Sequence, residues 1–552
     1  MTEFDYVIVG AGSAGCVLAD RLSADGKSQV LLVEAGSRNS SPLLSMPRGY
    51  AKLWQDPRYY WLFPIEEESW RPKGETWVYG KGLGGSSAVN GTWYYRGQPE
   101  DYDAWKTVGE GLWDWSQIQR CFREMEDYRE EGAHASRGRG GPLQVTTVKM
   151  RSPLTEAVLA AGREMGVPTV TDVNAPAQPG FGYTQMTVDR DGRRVTSYTA
   201  FLKSARTRPN LTVLTGVRTR RILFDGKRAA GLLCDSDRGQ IRLAARSEVI
   251  VCAGVLQSPK LLQLSGVGPK ALLDRHAVPV VHDLPAVGRN MAEHMMLSVS
   301  FRLKGMAGLN REFRGWRLWK NALQYFLFRK GLMAYGLPEI SAMIASGAAN
   351  PSWPDIQLGV SPYSYAASAE SKAEPGRGQT EEEPGVTVTG FCLRPASRGS
   401  VEIRSANIDD PPLVRANWLS EAEDRQALIG LVKLIRRLMA QPALKPFVGE
   451  ETVPGAAIRT DEDIEQATRW MLSTGLHGTG ACRMGGPTDG VVDARLRVHG
   501  VDRLRVVDCS AMPTAISGNT SGPAMAMAWR AAELILEDRD RILDGTKEGA
   551  RP

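Results

Sequence analysis

The 552-residue chain is poor in the features that tie a protein to disulfides, metals, nucleic acid or a membrane interior. Its seven cysteines (Cys16, Cys121, Cys234, Cys252, Cys392, Cys482 and Cys509) are odd in number and never spaced C-x-x-C. That excludes a disulfide framework and suits reduced thiols in a cytoplasmic protein. There are only six histidines (His134, His276, His282, His294, His477 and His499), and none joins carboxylates at metal-ligand spacing, so no metal is expected. No apolar run is long enough to cross a bilayer. Strand-like residues begin right after Glu3 and Asp5, which leaves no room for a signal peptide. The expectation is a cytoplasmic protein with at most peripheral membrane contact. A formal charge of +6, with no block of like charges, gives no nucleic-acid surface. Gly80-Lys81 is followed by Gly82 rather than Ser or Thr, which excludes a Walker loop.

What is present begins at residue 6. The apolar run Tyr6-Val7-Ile8-Val9 leads into GAGSAG, with Gly10, Gly12 and Gly15 at dinucleotide-binding spacing. Ala14, Val17, Leu18 and Leu22 then fall on one helical face. A second apolar run ends at Glu34, nineteen residues past Gly15, where a carboxylate accepts from ribose hydroxyls and repels a 2′-phosphate. At this length two or more domains are expected. Residues 211–253 alternate like an antiparallel sheet over Leu211–Leu214, Ile222–Phe224, Ala230–Cys234 and Ile241–Ala244. Ser368–Pro384 is charged and proline-flanked, and reads either as a lid or as an insertion without function. Ser521-Gly522-Pro523 opens a helix through 524–537, and the last residues read as a frayed tail.

Taken together, DYVIVGAGSAGCVLADRLS with Glu34, GKGLGGSSAVNGTWYYRG, AGVLQSPKLLQLSGVG, VGRNMAEH, HGTGACRMG and MPTAISGNTSGPAMAMA resemble the glucose–methanol–choline (GMC) oxidoreductases, FAD-dependent enzymes that oxidise alcohols. The resemblance runs from residue 5 to about residue 537 in family order. It implies an α/β fold: a Rossmann-like FAD-binding domain of discontinuous segments (1–150, 200–300 and 465–540) and a substrate-binding domain (151–199 and 301–464) with an antiparallel sheet flanked by helices, followed by a tail (541–552).

Carried over by position, the resemblance places Gly10, Gly12 and Gly15 at the FAD pyrophosphate and Glu34 at the adenosine ribose. It lays Gly84, Gly85, Ser86 and Asn90 along the pyrophosphate and isoalloxazine, Val217 at the adenine and Asp508 near the ribityl or pyrophosphate end. The helix opening near Pro523 faces the flavin pyrimidine edge, with Ser521 and Gly522 supplying N–H groups. Members with covalent flavin carry a histidine where this chain has Val89, so non-covalent FAD is expected. The active-site pair falls on His477, the candidate base, and Asn519, the candidate donor to the alkoxide. His294 reads as structural or flavin-adjacent.

The expected reaction is oxidation of a primary alcohol to its aldehyde, with electrons passed to a quinone, another carrier or oxygen. Some oxidases of the family carry an apolar branched residue two positions before the base; here it is Gly475, which favours a dehydrogenase. An FAD-containing hydroxynitrile lyase is the alternative from another reaction class. Trp54, Tyr59, Tyr60, Trp61, Trp93, Tyr94 and Tyr95 either line an entrance, suiting an aromatic or otherwise bulky alcohol, or belong to the core. No acidic cluster argues for a quaternary ammonium substrate.

Overall fold

The structure is a computed structural model that describes residues 3–68, 70, 75–176, 179–346, 353–365 and 380–548. Two sheets of opposite character form its framework. The first runs in the order Arg218–Asp225, Arg228–Ser236, Gly239–Val251, Glu3–Val9, Val30–Glu34, Leu211–Thr215, with Leu504–Val506 also pairing on Gly239–Val251. Its centre is parallel: Val7 lies between Val249 and Leu31, and Ile8 between Ile250 and Leu32. Both faces of those strands are covered, which is why they read as continuous apolar runs. The helix Ser13–Ser23 crosses from the first strand to Val30–Glu34 and buries Val17, Leu18 and Leu22.

One strand departs from the sequence expectation. Leu211–Thr215 is not antiparallel; it adds to the parallel edge beside Val30–Glu34. Alternation records which face a residue presents, not the direction of the neighbouring strand. The three strands that follow are antiparallel hairpins, as their patterning predicts.

The second sheet is antiparallel throughout, in the order Val448–Val453, Met295–Leu303, Gly385–Cys392, Ile356–Ser361, Ile340–Ile344, Gly180–Tyr183. A two-residue strand, Ser473–Thr474, also pairs with Met295–Leu303, setting Met295 against Thr474 and Met296 against Ser473. The Ala422–Met439 helix buries Leu428, Leu431, Val432 and Ile435 in the core of this sheet. A separate core fills the first sheet.

The last helix, Ser521–Glu548, runs eleven residues past the predicted end. Arg495 and Arg505 both bond Asp538 in that extension. Of the 368–384 stretch, 368–379 lie outside the described residues. Glu381 is fixed by Arg302 and Ser364.

Candidate active site

A cavity of about 740 Å³ runs between the two sheets. At one end stand Gly10, Gly12, Ser13, Glu34 and Val217; at the other, Trp93, Phe391, His477 and Asn519.

The three fingerprint glycines divide the work that the motif assigns to them jointly. Gly10 has φ +101°, and a Cβ there would lie 2.5 Å from the Cys252 carbonyl oxygen. It makes the turn. A Cβ on Gly15 would lie 1.9 Å from the Gly10 carbonyl oxygen. It sits off the cavity wall and lets the helix pack on the strand. Of the three, only Gly12 faces open space, with nothing within 4 Å of where a Cβ would stand. The Ser13–Ser23 helix has no side-chain cap, so its first-turn amides are left to an anion in the cavity. Gly85 backs onto Gly12, a Cβ there falling 2.7 Å from the Gly12 Cα.

The carboxylates hold the walls. Glu34 accepts from the amides of Ala11, Gly36 and Gly82 at 2.7–2.9 Å, so one of about four acceptor sites remains for a ribose hydroxyl. Val217 donates its amide to the Glu34 carbonyl. Asp508 accepts from the Gly254 amide and Ser258 hydroxyl through Oδ2, and from the amide and hydroxyl of Ser510 through Oδ1. Those four bonds fill its acceptor capacity; Asp508 ties the wall together rather than offering a free acceptor near the ribityl end. Ser86 and Asn90 line the cavity. Asn90 Oδ1 accepts from the Thr92 amide and from Arg194, so the group it can present to a ligand is Nδ2.

Besides Gly15, three residues expected at the cofactor, Gly84, Gly522 and Pro523, are off the cavity wall. At the head of the last helix the wall is formed by Thr520, Ser521 and Ala524. Gly522 packs instead on the Tyr95 carbonyl, 2.6 Å from where a Cβ would be. Trp54, Tyr60, Trp61 and Trp93 line the cavity. Tyr59 packs with the cluster around Leu44 and Leu53. Tyr94 and Tyr95 are fully buried core residues, Tyr94 bonded to Glu126.

His477 and Asn519 come together, with Asn519 Nδ2 2.8 Å from His477 Nε2. A second histidine completes the group: His294 Nδ1 lies 3.0 Å from His477 Nδ1. The strand register causes this. With Met295 opposite Thr474, His294 sits beside the loop that carries His477, and the Gly475 amide donates to the His294 carbonyl. Glu293, the preceding residue, accepts from the His477 backbone amide at 2.8 Å. A Cβ on Gly475 would lie 2.9 Å from His477 Nδ1; the paired rings leave no room for a side chain there.

The bonds assign the tautomers. Gln357 Nε2 donates to Asn519 Oδ1 at 3.0 Å, which turns the Asn519 amide nitrogen toward His477. His477 Nε2 therefore accepts and is bare. Its proton then sits on Nδ1 and is donated to His294 Nδ1, which leaves the His294 proton to Nε2. Burial pushes the His477 pKa down to about 3. His294 is also driven well below the ordinary value, by burial first and then by His477 and Arg394. Both rings are neutral at physiological pH. Sequence motifs assign His294 only a vague role and miss Glu293 and Gln357, whose approach depends on pairing across the second sheet.

This geometry accords with the comparisons. The GMC oxidoreductase family models match residues 4–296 and 395–528. The chain belongs to the GMC oxidoreductases. It is 37% identical over 97% of its length to an oxygen-dependent choline dehydrogenase of Pectobacterium atrosepticum, covering 94% of that protein. It is 34% identical to an alcohol dehydrogenase [acceptor] of Pseudomonas putida, over 97% of this chain and 96% of the relative. Its fold superposes on pyridoxine 4-oxidase from Mesorbium loti with a TM-score of 0.84 at 29% identity, covering 96% and 98% of the two chains. The GMC oxidoreductase is accordingly an FAD flavoenzyme. The open face at Gly12, the uncapped helix and the remaining acceptor site of Glu34 fit the dinucleotide. Val89, buried on the cavity wall, has no nucleophile with which to bond a flavin.

Proposed function

We propose that this GMC oxidoreductase oxidises a primary, aromatic or otherwise bulky alcohol to its aldehyde and passes the electrons to a quinone or similar carrier in the cytoplasm. The observation that carries the reading is the directed chain Gln357–Asn519–His477–His294 at the cavity wall. Oxidising an alcohol removes a proton from oxygen and a hydride from carbon, and bound FAD supplies the hydride acceptor. The hydroxyl proton goes to the bare Nε2 of His477. Asn519 Nδ2, which here donates to that lone pair, moves its N–H onto the substrate oxygen as negative charge develops there. His294 then accepts from the imidazolium Nδ1–H.

Phe391 lies tilted against the His477 ring at 5.6 Å and edge-on to Trp93 at 5.8 Å, so apolar ring faces flank the carbinol position. The two carboxylates on the cavity wall are Glu34 and Asp508, both engaged at the dinucleotide half; among the described residues no other carboxylate lines it. This favours a neutral, bulky alcohol. The similarity to choline dehydrogenases supports a second reading, in which those aromatic faces hold a quaternary ammonium. The absence of room at Gly475 supports a carrier over oxygen as acceptor, since the branched side chain some oxidases place there does not fit beside the histidines.

An alcohol panel containing benzylic alcohols, linear alcohols and choline, followed by anaerobic flavin bleaching, tests the proposal. Fastest bleaching by a benzylic or bulky alcohol supports it; preference for choline establishes the second reading. No bleaching by any alcohol, with cleavage of a cyanohydrin instead, assigns lyase chemistry. Turnover with an artificial quinone exceeding turnover with oxygen supports the carrier assignment.

A further inference from the structure

The helix Gly315–Phe328 has its apolar side outward. Only Asn321 and Tyr325 of its fourteen residues are buried. Trp316 is 69% exposed, Trp319 77%, Leu323 59% and Leu327 63%. At 100° per residue these four, with Phe326, fall within one stripe about 100° wide. Single exposed apolar residues are ordinary, but a contiguous patch of this kind marks a surface that another phase covers.

Charge says which phase. Residues 311–330 contain Arg311, Arg314, Arg317, Lys320, Arg329 and Lys330 against a single acidic residue, Glu312; Arg317 pairs with Glu312 and Arg314 with Glu382, which leaves Arg311, Lys320, Arg329 and Lys330 to meet an anionic surface. Lys320 lies 6.0 Å from the Trp316 ring, at the edge of the stripe. Arg329 closes the helix in a left-handed cap at φ 55°, with Lys330 next in the chain. Tryptophans on one face and lysine or arginine along its margins and ends describe a helix lying in the plane of an anionic lipid surface, rings among the upper acyl chains and cations at the phosphates. The helix is about 21 Å long, too short to cross a hydrocarbon core of about 30 Å, and among the described residues no helix is long and apolar enough to do so.

The helix is also fastened beside the cavity. Tyr325 donates its hydroxyl to the Ser45 carbonyl, a few residues before Tyr50 and Trp54 on the wall. Phe313, just ahead of the helix, packs edge-on at 5.4 Å against Tyr363, another wall residue.

We propose that Gly315–Phe328 is an in-plane docking helix that seats the protein on an anionic phospholipid bilayer, next to the end of the cavity walled by Tyr50, Trp54 and Tyr363. Docking is independent of the reaction proposed above, and its test needs no substrate. The holoenzyme is co-sedimented with vesicles of phosphatidylcholine containing phosphatidylglycerol, and with vesicles of phosphatidylcholine alone. Wild type should partition onto the anionic vesicles, and quenching by brominated acyl chains should place tryptophan within the bilayer. The combined substitution Trp316→Ser, Trp319→Ser, Leu323→Ser, Leu327→Ser should weaken partitioning at least about tenfold, with flavin absorbance and thermal midpoint unchanged because these side chains are exposed. Lys320→Glu with Lys330→Glu should remove the preference for anionic vesicles. Should the fourfold variant lose flavin, Trp319→Ser alone and the quenching of wild type carry the test. Wild type that ignores the vesicles, or variants that bind as well as wild type, would overturn the proposal. So would a wild-type dimer that the apolar variant dissociates without any vesicle binding, since the stripe would then be an interface between two copies.

Discussion

Replacing His294 with leucine removes the acceptor that holds the proton of His477 on Nδ1. The two nitrogens are 3.0 Å apart between two buried rings. Without His294 the His477 Nδ1–H has no partner, and the tautomer with its proton on Nε2 becomes competitive, which blocks the lone pair proposed to take the substrate proton. Once His477 is protonated, the lost bond is charge-assisted. Such bonds contribute about 1.5–3 kcal/mol, against about 0.5–1.5 for a neutral pair, so the barrier rises by about 1–2 kcal/mol from this difference alone. That corresponds to a roughly 5- to 30-fold slower step, and the tautomer shift adds to it. Stopped-flow flavin bleaching under anaerobic conditions separates the limiting reduction rate from the apparent affinity for the alcohol. The limiting rate should fall at least about fivefold while the affinity stays within about twofold, which a general loss of structure would not produce. His294→Asn, whose side-chain carbonyl can accept in place of the imidazole, should recover part of the rate. Full flavin content and a reduction rate within twofold of wild type in His294→Leu would refute the tautomer argument.

Three other outcomes follow from the same geometry. Gly15→Ala forces a Cβ to 1.9 Å from the Gly10 carbonyl and should destabilise the protein by at least about 3 kcal/mol, whereas Gly12→Ala, which points into open space, should keep its fold and bind FAD more weakly; thermal midpoints and flavin titration distinguish the two. Acid precipitation should leave the polypeptide colourless and all the flavin in the supernatant, because Val89 offers no atom for a covalent link; yellow protein would contradict this. Burial lowers the His477 pKa from about 6.5 to about 3, so its contribution to stability is complete above pH 6.5 and is lost as pH falls toward 3, at about 1.4 kcal/mol per unit. Urea midpoints measured from pH 7 to pH 4.5 should therefore drop less steeply in His477→Asn than in wild type.

The dinucleotide half was legible in the sequence because its backbone demands particular residues. Gly10 must take a positive φ, Gly15 must admit a carbonyl at contact distance, and Glu34 must end a buried strand. Such requirements leave a signature whatever the rest of the chain does. The parallel pairing of Leu211–Thr215 left none, since a short apolar run is the same string beside either kind of neighbour. His477 and Asn519 were recognisable through the motifs that carry them, but the residues that orient them were not. His294 reaches His477 through the pairing of Met295 with Thr474, and Gln357 reaches Asn519 from near the start of a different strand. Nothing local at either position announces that contact. For Tyr94 and Tyr95 the residues alone left entrance and core open, and burial places both in the core. The Gly315–Phe328 helix could not be read at all from hydrophobicity, because an outward apolar stripe has the same period as a buried one.

In the proposed mechanism His477 takes the hydroxyl proton while Asn519 holds the oxygen. Its most direct test is the anaerobic flavin-bleaching rate of His477→Ala with the best alcohol of the panel, at flavin content matched to wild type. A loss of about 100- to 10,000-fold is predicted, with the bleaching rate rising with pH as the alcohol must then lose its proton unaided. A variant that bleaches within tenfold of wild type and shows the same pH profile would contradict the account.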